Sequence, residues 1–457
     1  MISLKDALRL APHACLALVG AGGKTHALFQ LAGELPPPVF VTATTHLAEE
    51  QLALADEWSQ VENPKQVDKA ARLMQGRVKL FIGPPDEAGR RLGVASPALE
   101  RLRAIAMQRS LPLLIEADGA RQLPLKAPGE HEPALPFIDT TRSSRPALDS
   151  VVVVAGLSGL GKPLDDKWVH RPERFAELAG LPIGAPISAQ AVRRVLLHPE
   201  GGLKNIPTGV RRLVLLNQAD TPELQSQANT VIGGSAGETS LLGGYHAVVV
   251  AALQAKKIWA VHEPVAGVLL AAGSASRFGK AKQVLEWQGE TLVHRAARIA
   301  LQAGLDPVVV VTGAYAGETQ AAVADLRVTL EHNPDWQAGQ SASVRIGVRA
   351  LPEGVGAAVF LLVDQPLVSA SLIRRLAEVH AESLPPVVAP QAGGRRANPV
   401  LFDRSIFAYL LELQGDQGGR QLFSKFAPTW VPWHDESILQ EIDTPEDYQL
   451  LLELDSP

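Results

Sequence analysis

The residues best suited to chemistry lie past the middle of the chain. "LLAAGSASRFGKAKQ", Leu269 to Gln283, passes from an apolar run into small residues and then into fixed positive charge. Leu270, Ala271, Ala272, Gly273 and Ser274 would let backbone N–H groups approach an anion, and the start of the next helix adds partial positive charge. Arg277 and Lys282 supply full charges suited to a polyphosphate. A tight turn with solvated basic residues fits the loop alone equally well. "FLLVDQP" sets Asp364 just after an apolar strand, at the carboxyl end where ligands of such sheets bind. A carboxylate there suits Mg²⁺, which takes one or two carboxylates together with phosphate oxygens. Asp443 in "EIDTPEDY" is a second candidate ligand for the ion, and equally a candidate helix N-cap.

A second glycine-lysine loop, "VGAGGKT", occurs at Val19–Thr25. It reads as a strand, then an anion-cradling turn of Gly20, Gly22 and Gly23, then Lys24 and Thr25 opening a helix. The strict spacing GxxxxGK[ST] fails, because Leu18 stands where the first glycine belongs. "LLIEADGARQLPLKAP" places Glu116 and Asp118 at a strand end, where Asp118 suits the Mg²⁺ side of a nucleotide site or an ordinary Asp-Gly turn. "LVLLNQAD" is similar to the Asn-Lys-x-Asp motif that reads guanine, with Asn217 and Asp220 in the matching positions and Gln218 in place of the lysine. GTP or ATP is therefore the candidate ligand of this half. His170-Arg171 and His131-Glu132 read as polar contacts. None of the 12 histidines falls in a zinc-binding frame, so no structural zinc is expected.

The bulk properties set limits on these readings. The 457 residues exceed one ordinary core, and 46% hydrophobic with 20% charged residues is a globular composition. A net charge of −5 argues against a nucleic-acid binder. No apolar stretch reaches the length of a membrane helix, and a single cysteine fits a reducing cytoplasm. Ala14–Ala21 is short enough to pass for a signal-peptide core, but mixed charge precedes it and GGKT follows, so it reads as a strand.

The elements that must hold these residues recur along the chain. Continuous apolar runs at Cys15–Val19, Val39–Thr42, Val78–Ile82, Leu113–Glu116, Val151–Ala155, Leu213–Leu216 and Ala247–Ala251 suit strands buried on both faces. Helix-period stretches separate them. Residues 256–264, with charge, a proline and no period, read as a linker. The rhythm then restarts with Val265–Ala271, Val308–Thr312, Val328–Glu331, Ala358–Val363 and Val387–Ala389. The expected fold is α/β, with two doubly wound, mostly parallel sheets: a P-loop-like domain over 1–255 and a Rossmann-like domain over 265–457.

"LLAAGSASRFG", "HNPDWQAGQSASVRIG", "LLVDQP", "NPVLF", "GDQGGR" and "EIDTPEDY" follow one another in that order, and together they resemble the MobA/MocA-like nucleotidyltransferases. The resemblance implies transfer of CMP from CTP to the terminal phosphate of molybdopterin carrying molybdenum. It implies Mg²⁺ at Asp364 and Asp443, and Asn333, Gly339, Ser341, Ser343 and Asn398 beside the nucleotide and pterin. Ala272 is similar to the cytidylyl rather than the guanylyl branch. Asn398 departs from the family's usual Gly-His-Pro. "VGAGGKT", "LLIEADGA" and "LGKPLDDKWVHRPE" resemble the YqeC-like family of accessory proteins for selenium-dependent molybdenum hydroxylases. That resemblance implies a client hydroxylase, similar to xanthine dehydrogenase, as partner. Two other readings stay open: transfer to a different phosphorylated acceptor, and a non-catalytic chaperone that carries the cofactor to its client.

Overall fold

Every apolar run named above forms a strand. The computed structural model of the chain describes residues 2–73, 75–87, 89–136, 148–233, 239–274, 281–416 and 418–454. The chain divides into two units, with the boundary between His262 and Glu263.

The first unit contains β1 (Cys15–Gly20), β2 (Val39–Ala43), β3 (Glu57–Gln60), β4 (Val78–Ile82), β5 (Leu113–Glu116) and β6 (Leu125–Lys126). It continues with β7 (Ser150–Gly156), β8 (Val169–His170), β9 (Arg211–Asn217), β10 (Ala247–Ala252) and β11 (Lys257–His262). Nine of them form one sheet in the order β11-β10-β9-β7-β1-β5-β2-β4-β3, while β6 and β8 pair separately. All neighbours in the large sheet run parallel except β10 and β11. β2, β4, β5, β7 and β10 are buried along their whole length, which is why their sequences show no alternation. The chain fills one side of β1 with β2 to β5 and the other with β7, β9, β10 and β11. The crevice at the carboxyl ends of β1 and β7 is therefore a topological switch point, and the Gly20–Thr25 loop opens into it.

Lys257–His262, expected as part of a linker, is the edge strand of this sheet. Trp259 and Ala260 pack against the first unit's core, and that burial recruits the segment.

The second unit contains β12 (Val265–Ala271), β13 (Glu286–Trp287), β14 (Glu290–Thr291), β15 (Val308–Thr312) and β16 (Thr329–His332). It ends with β17 (Ala357–Leu362), β18 (Val387–Ala392), β19 (Arg395–Arg396), β20 (Val400–Asp403) and β21 (Thr429–Trp433). The sheet order is β16-β15-β12-β17-β20-β18-β19, with β21 beside β18. β16, β15, β12 and β17 are parallel, and β20 is inserted antiparallel to β17 and β18. Alternate residues feed two cores: Val268, Val309 and Val311 face one, Leu269, Val308 and Val310 the other. The switch point lies between β12 and β17, so the loop after Ala271 and the residues after Leu362 converge. No helix among the described residues is long and apolar enough to cross a membrane.

Candidate functional site

The second unit's switch point gathers a lysine and two carboxylates. Lys282 opens a short 3₁₀ turn, Lys282–Val284, after the β12 loop. Gln283 anchors that turn, its side-chain amide donating to Ala271 O at 3.0 Å and Gly273 O at 2.8 Å. Asp364 follows β17, as expected for a strand-end acid. Asp443 arrives from 79 residues further along because Ile442 N donates to Asp364 O at 2.9 Å, clamping the two segments together. Lys282 Nζ then lies between the carboxylates, 2.8 Å from Asp443 Oδ1 and 3.4 Å from Asp364 Oδ2.

The two roles open to Asp443 in the sequence are separated by the helix that follows it. Thr444, not Asp443, is the N-cap of helix Pro445–Glu453, and its hydroxyl accepts from Asp447 N. The Asp447 carboxylate accepts from the backbone N–H groups of both Asp443 and Thr444. This capping box leaves the Asp443 carboxylate to Lys282.

Burial pushes the Asp364 carboxyl above its usual range; Lys282 opposes the shift and Asp443 adds to it. Asp364 Oδ1 is buried with no hydrogen-bond partner. An orphaned carboxylate oxygen beside a second carboxylate is what a hard divalent cation would satisfy, so these residues fit Mg²⁺. Among the described residues, no group of three or more His, Cys, Asp or Glu forms a complete cage. An ion that keeps water and phosphate oxygens in its shell does not require one.

Next to this pair opens a cavity of about 480 Å³. Leu270, Val344, Phe360, Leu362, Phe402 and Phe423 form the apolar part of its lining. Arg395, Arg396, Arg420, Asn398, Gln365 and Glu441 form the polar part, the three arginines exposed and Gln365 buried. Gln365 Nε2 donates to Glu441 Oε1 at 2.9 Å, and burial, then Asp364, raise the Glu441 pKa. The sequence reading missed the three arginines, Gln365 and Glu441. The Arg-Arg pair just before Ala397-Asn398-Pro399 was the available signal.

The other expected residues take different places. Asn333 and Ser343 bond each other at 2.9 Å, both buried, tying the end of β16 to helix Gln340–Arg349. Ser341 Oγ accepts from Arg345. Gly339 (φ +100°) lets the chain pass close to Gly415, whose carbonyl oxygen would lie 2.6 Å from an added Cβ. These four residues are not among those lining the cavity, although Gln340 and Val344 of the same helix are. Ala272 is buried at the β12 end, Ser274 follows Gly273 in the loop, and Arg277 lies outside the described residues.

Hairpin β13–β14 fixes the chain just after Lys282. Glu290 accepts from Arg298, His294 and Arg295, and these contacts, Arg298 first, hold its pKa down to about 2 from 4.5. A depressed carboxylate contributes stability that is present above the unfolded pKa and lost as pH falls through the folded one. Between pH 4.5 and 2, the second unit should thus lose about 2 kcal/mol after allowance for partial solvent screening. Hydrogen exchange of helix Leu292–Gln302 would read this loss, and Glu290→Gln should abolish that part of the pH dependence.

In the first unit, the Gly20–Thr25 loop is stitched into the fold. Gly20 N donates to Asp118 Oδ2, Ala21 N to Val154 O and Gly22 N to Leu123 O. Gly22 (φ +82°) has no room for a side chain, since an added Cβ would collide with the Gly156 backbone. Gly23 is the left-handed N-cap of helix Lys24–Glu34, with no side-chain cap. Asn217 uses both ends of its amide within the fold, donating to Gly22 O at 2.7 Å and accepting from Leu253 N at 3.1 Å. Gly23, His26, Ser158, Asn217, Gln218 and Asp220 surround a cavity of about 260 Å³. The loop and both residues of the guanine-like motif therefore meet, with Asn217 serving as a strut. Thr25 Oγ1 donates to Glu116 Oε2 at 3.0 Å, and burial raises the Glu116 pKa. Asp118 faces Lys24 and Lys126.

Comparison with known proteins matches this division. Residues 16–173 match the YqeC protein family, and residues 267–430 match the MobA-like NTP transferase domain. YqeC of Escherichia coli (strain K12) is 33% identical over 208 residues, covering 44% of the chain and 75% of that protein. Purine catabolism protein PucB of Bacillus subtilis (strain 168) is 32% identical over 196 residues, covering 40% of the chain and 94% of that protein. Molybdenum cofactor cytidylyltransferase of E. coli is 25% identical over 183 residues, covering 40% and 92%. The chain belongs to the YqeC family through its first unit and to the MobA-like NTP transferases through its second, which is a nucleotidyltransferase domain.

Proposed function

We propose that the second unit transfers CMP from CTP to the terminal phosphate of molybdenum-bearing molybdopterin, releasing pyrophosphate. The observation that carries this reading is Lys282 held between Asp364 and Asp443, whose near neighbours in the chain, Gln365 and Glu441, line the 480 Å³ cavity. A phosphate oxygen of the acceptor forms a bond to the α-phosphorus as the bond from that phosphorus to the bridging oxygen breaks. The bonding electron pair leaves with pyrophosphate. An ionised phosphate is already a nucleophile, so alignment and charge neutralisation suffice. Lys282 counters charge on the triphosphate. Mg²⁺ bound at Asp364 and Asp443 would neutralise nucleotide oxygens and steady the leaving group.

The cavity suits the acceptor. Aromatic and aliphatic walls fit a planar heterocycle, and the arginine rim fits its phosphate. The similarity to the E. coli molybdenum cofactor cytidylyltransferase and Ala272 support CTP. In the first unit, the Gly23–Thr25 amides and the adjoining cavity support binding of GTP or ATP, in an accessory role toward a client molybdenum hydroxylase.

Asn398 favours a second reading, transfer to another phosphorylated acceptor. It lines the cavity where the family usually has histidine, and it cannot be protonated. Pyrophosphate release with Mg²⁺ and molybdenum-loaded molybdopterin, comparing CTP, GTP and ATP, separates these possibilities. Release with CTP is expected. Release with GTP alone would overturn the nucleotide assignment, and no release with any nucleotide would overturn the acceptor.

A further inference from the structure

Lys24 stands where a phosphate loop presents its lysine, yet its ammonium group is already engaged. Nζ donates to Gly20 O at 2.7 Å and pairs with Asp118 Oδ1 at 3.1 Å. Lys24 is 4% exposed and Asp118 2%. Asp118 Oδ2 accepts from Gly20 N at 2.9 Å and from Lys126 Nζ at 2.8 Å. One carboxylate of the protein thus takes both the lysine and the first amide of the loop, groups that elsewhere meet a phosphate. We propose that Asp118 is a resident counter-anion that holds the phosphate loop closed and surrenders Lys24 when a polyphosphate arrives. This rests on the reading of the first unit as a phosphate-binding domain.

The surroundings make the exchange feasible. Lys126 is buried and held by Gly119 O at 2.6 Å and Glu132 Oε2 at 2.7 Å. Glu132 is paired in turn with both terminal nitrogens of Arg171. Charges of alternating sign therefore run from Lys24 through Asp118, Lys126 and Glu132 to Arg171. When Lys24 leaves, Asp118 keeps Lys126 and the Gly20 amide, so no buried charge is stranded. Lys24 exchanges one anion for another. Thr25, the hydroxyl that follows the loop lysine, is turned toward Glu116 and away from this chain of charges.

The rival role for Asp118 is direct support of the bound ligand through Mg²⁺, and the two roles have opposite consequences. Tripolyphosphate with Mg²⁺ serves as the probe, titrated calorimetrically into the full chain. Asp118→Asn keeps an oxygen for the Gly20 amide but removes the charge that competes for Lys24, and should tighten binding about tenfold, roughly 1.4 kcal/mol. Glu132→Gln removes the same unit of charge two links further from Lys24 and should bind within about twofold of wild type on the same scale. Lys24→Met should lose binding in either background. Should Asp118→Asn fold poorly, Asp118→Asn with Lys126→Met restores the charge balance and should show the same tightening. Equal or weaker binding by Asp118→Asn would overturn the proposal, as would equal tightening by Glu132→Gln, which would assign the effect to net charge. No binding by wild type or variant would overturn the phosphate-loop reading, and the counter-anion role with it.

Discussion

Asp364→Asn should reduce kcat/KM for nucleotide transfer about 10³-fold, roughly 4 kcal/mol of transition-state stabilisation. The substitution removes the charge of the acid that fits Mg²⁺ best, the one with a buried orphaned oxygen. Stability should move the other way. Burial already disfavours ionised Asp364, and a neutral amide of the same shape relieves that penalty. Lys282 keeps its shorter contact, 2.8 Å to Asp443, so no lysine is stranded. Unfolding of the second unit should therefore be unchanged or shifted slightly upward. Pyrophosphate release and thermal unfolding on the same sample read the two effects, and a joint loss of activity and stability would mark Asp364 as a structural residue.

Lys282→Met should lower transfer about 10²-fold to 10³-fold, the range for losing one preorganised charge at a reacting phosphate. Metal affinity separates this effect from simple damage. In the folded chain Lys282 is the cation that occupies the carboxylate pair. Its removal leaves both acids to the metal, so Mn²⁺ binding measured without nucleotide should tighten while turnover falls. Weaker Mn²⁺ binding would show that Lys282 organises the carboxylates and does not compete for them.

How much was legible in the sequence depended on burial. Strands covered on both faces, such as β4 ("VKLFI") and β15 ("VVVVT"), read as continuous apolar runs; β20 ("VLFD"), equally buried, was missed because its apolar run is only three residues long. Other missed strands lack that signature. β3 ("EWSQ") and β21 ("TWVPW") are half-exposed, and β11 ("KIWAVH") is half-exposed with Lys257 at one end and His262 at the other, which resembles a linker. Lys282 and Asp364 were legible because each follows a recognisable strand. The pairing of Asp364 with Asp443 was expected from the family resemblance alone, since in the chain itself it depends on one backbone hydrogen bond between Ile442 and Asp364. The arginine rim was visible only as charge in "GGRRANP" and "GDQGGR", because the cavity it borders is assembled from β17, β20 and distant loops. Asn333 and Ser343 show the converse. The family resemblance sets them beside the ligand, while in the structure their polar atoms bond each other.

The most direct test follows the label from CTP into the acceptor. With Mg²⁺ and molybdenum-loaded molybdopterin, CTP labelled at the α-phosphate should pass its label to the acceptor product, and CTP labelled at the γ-phosphate should release all of its label as pyrophosphate. Label in the acceptor from the γ-position, or from neither, would contradict nucleotidyl transfer at Lys282, Asp364 and Asp443.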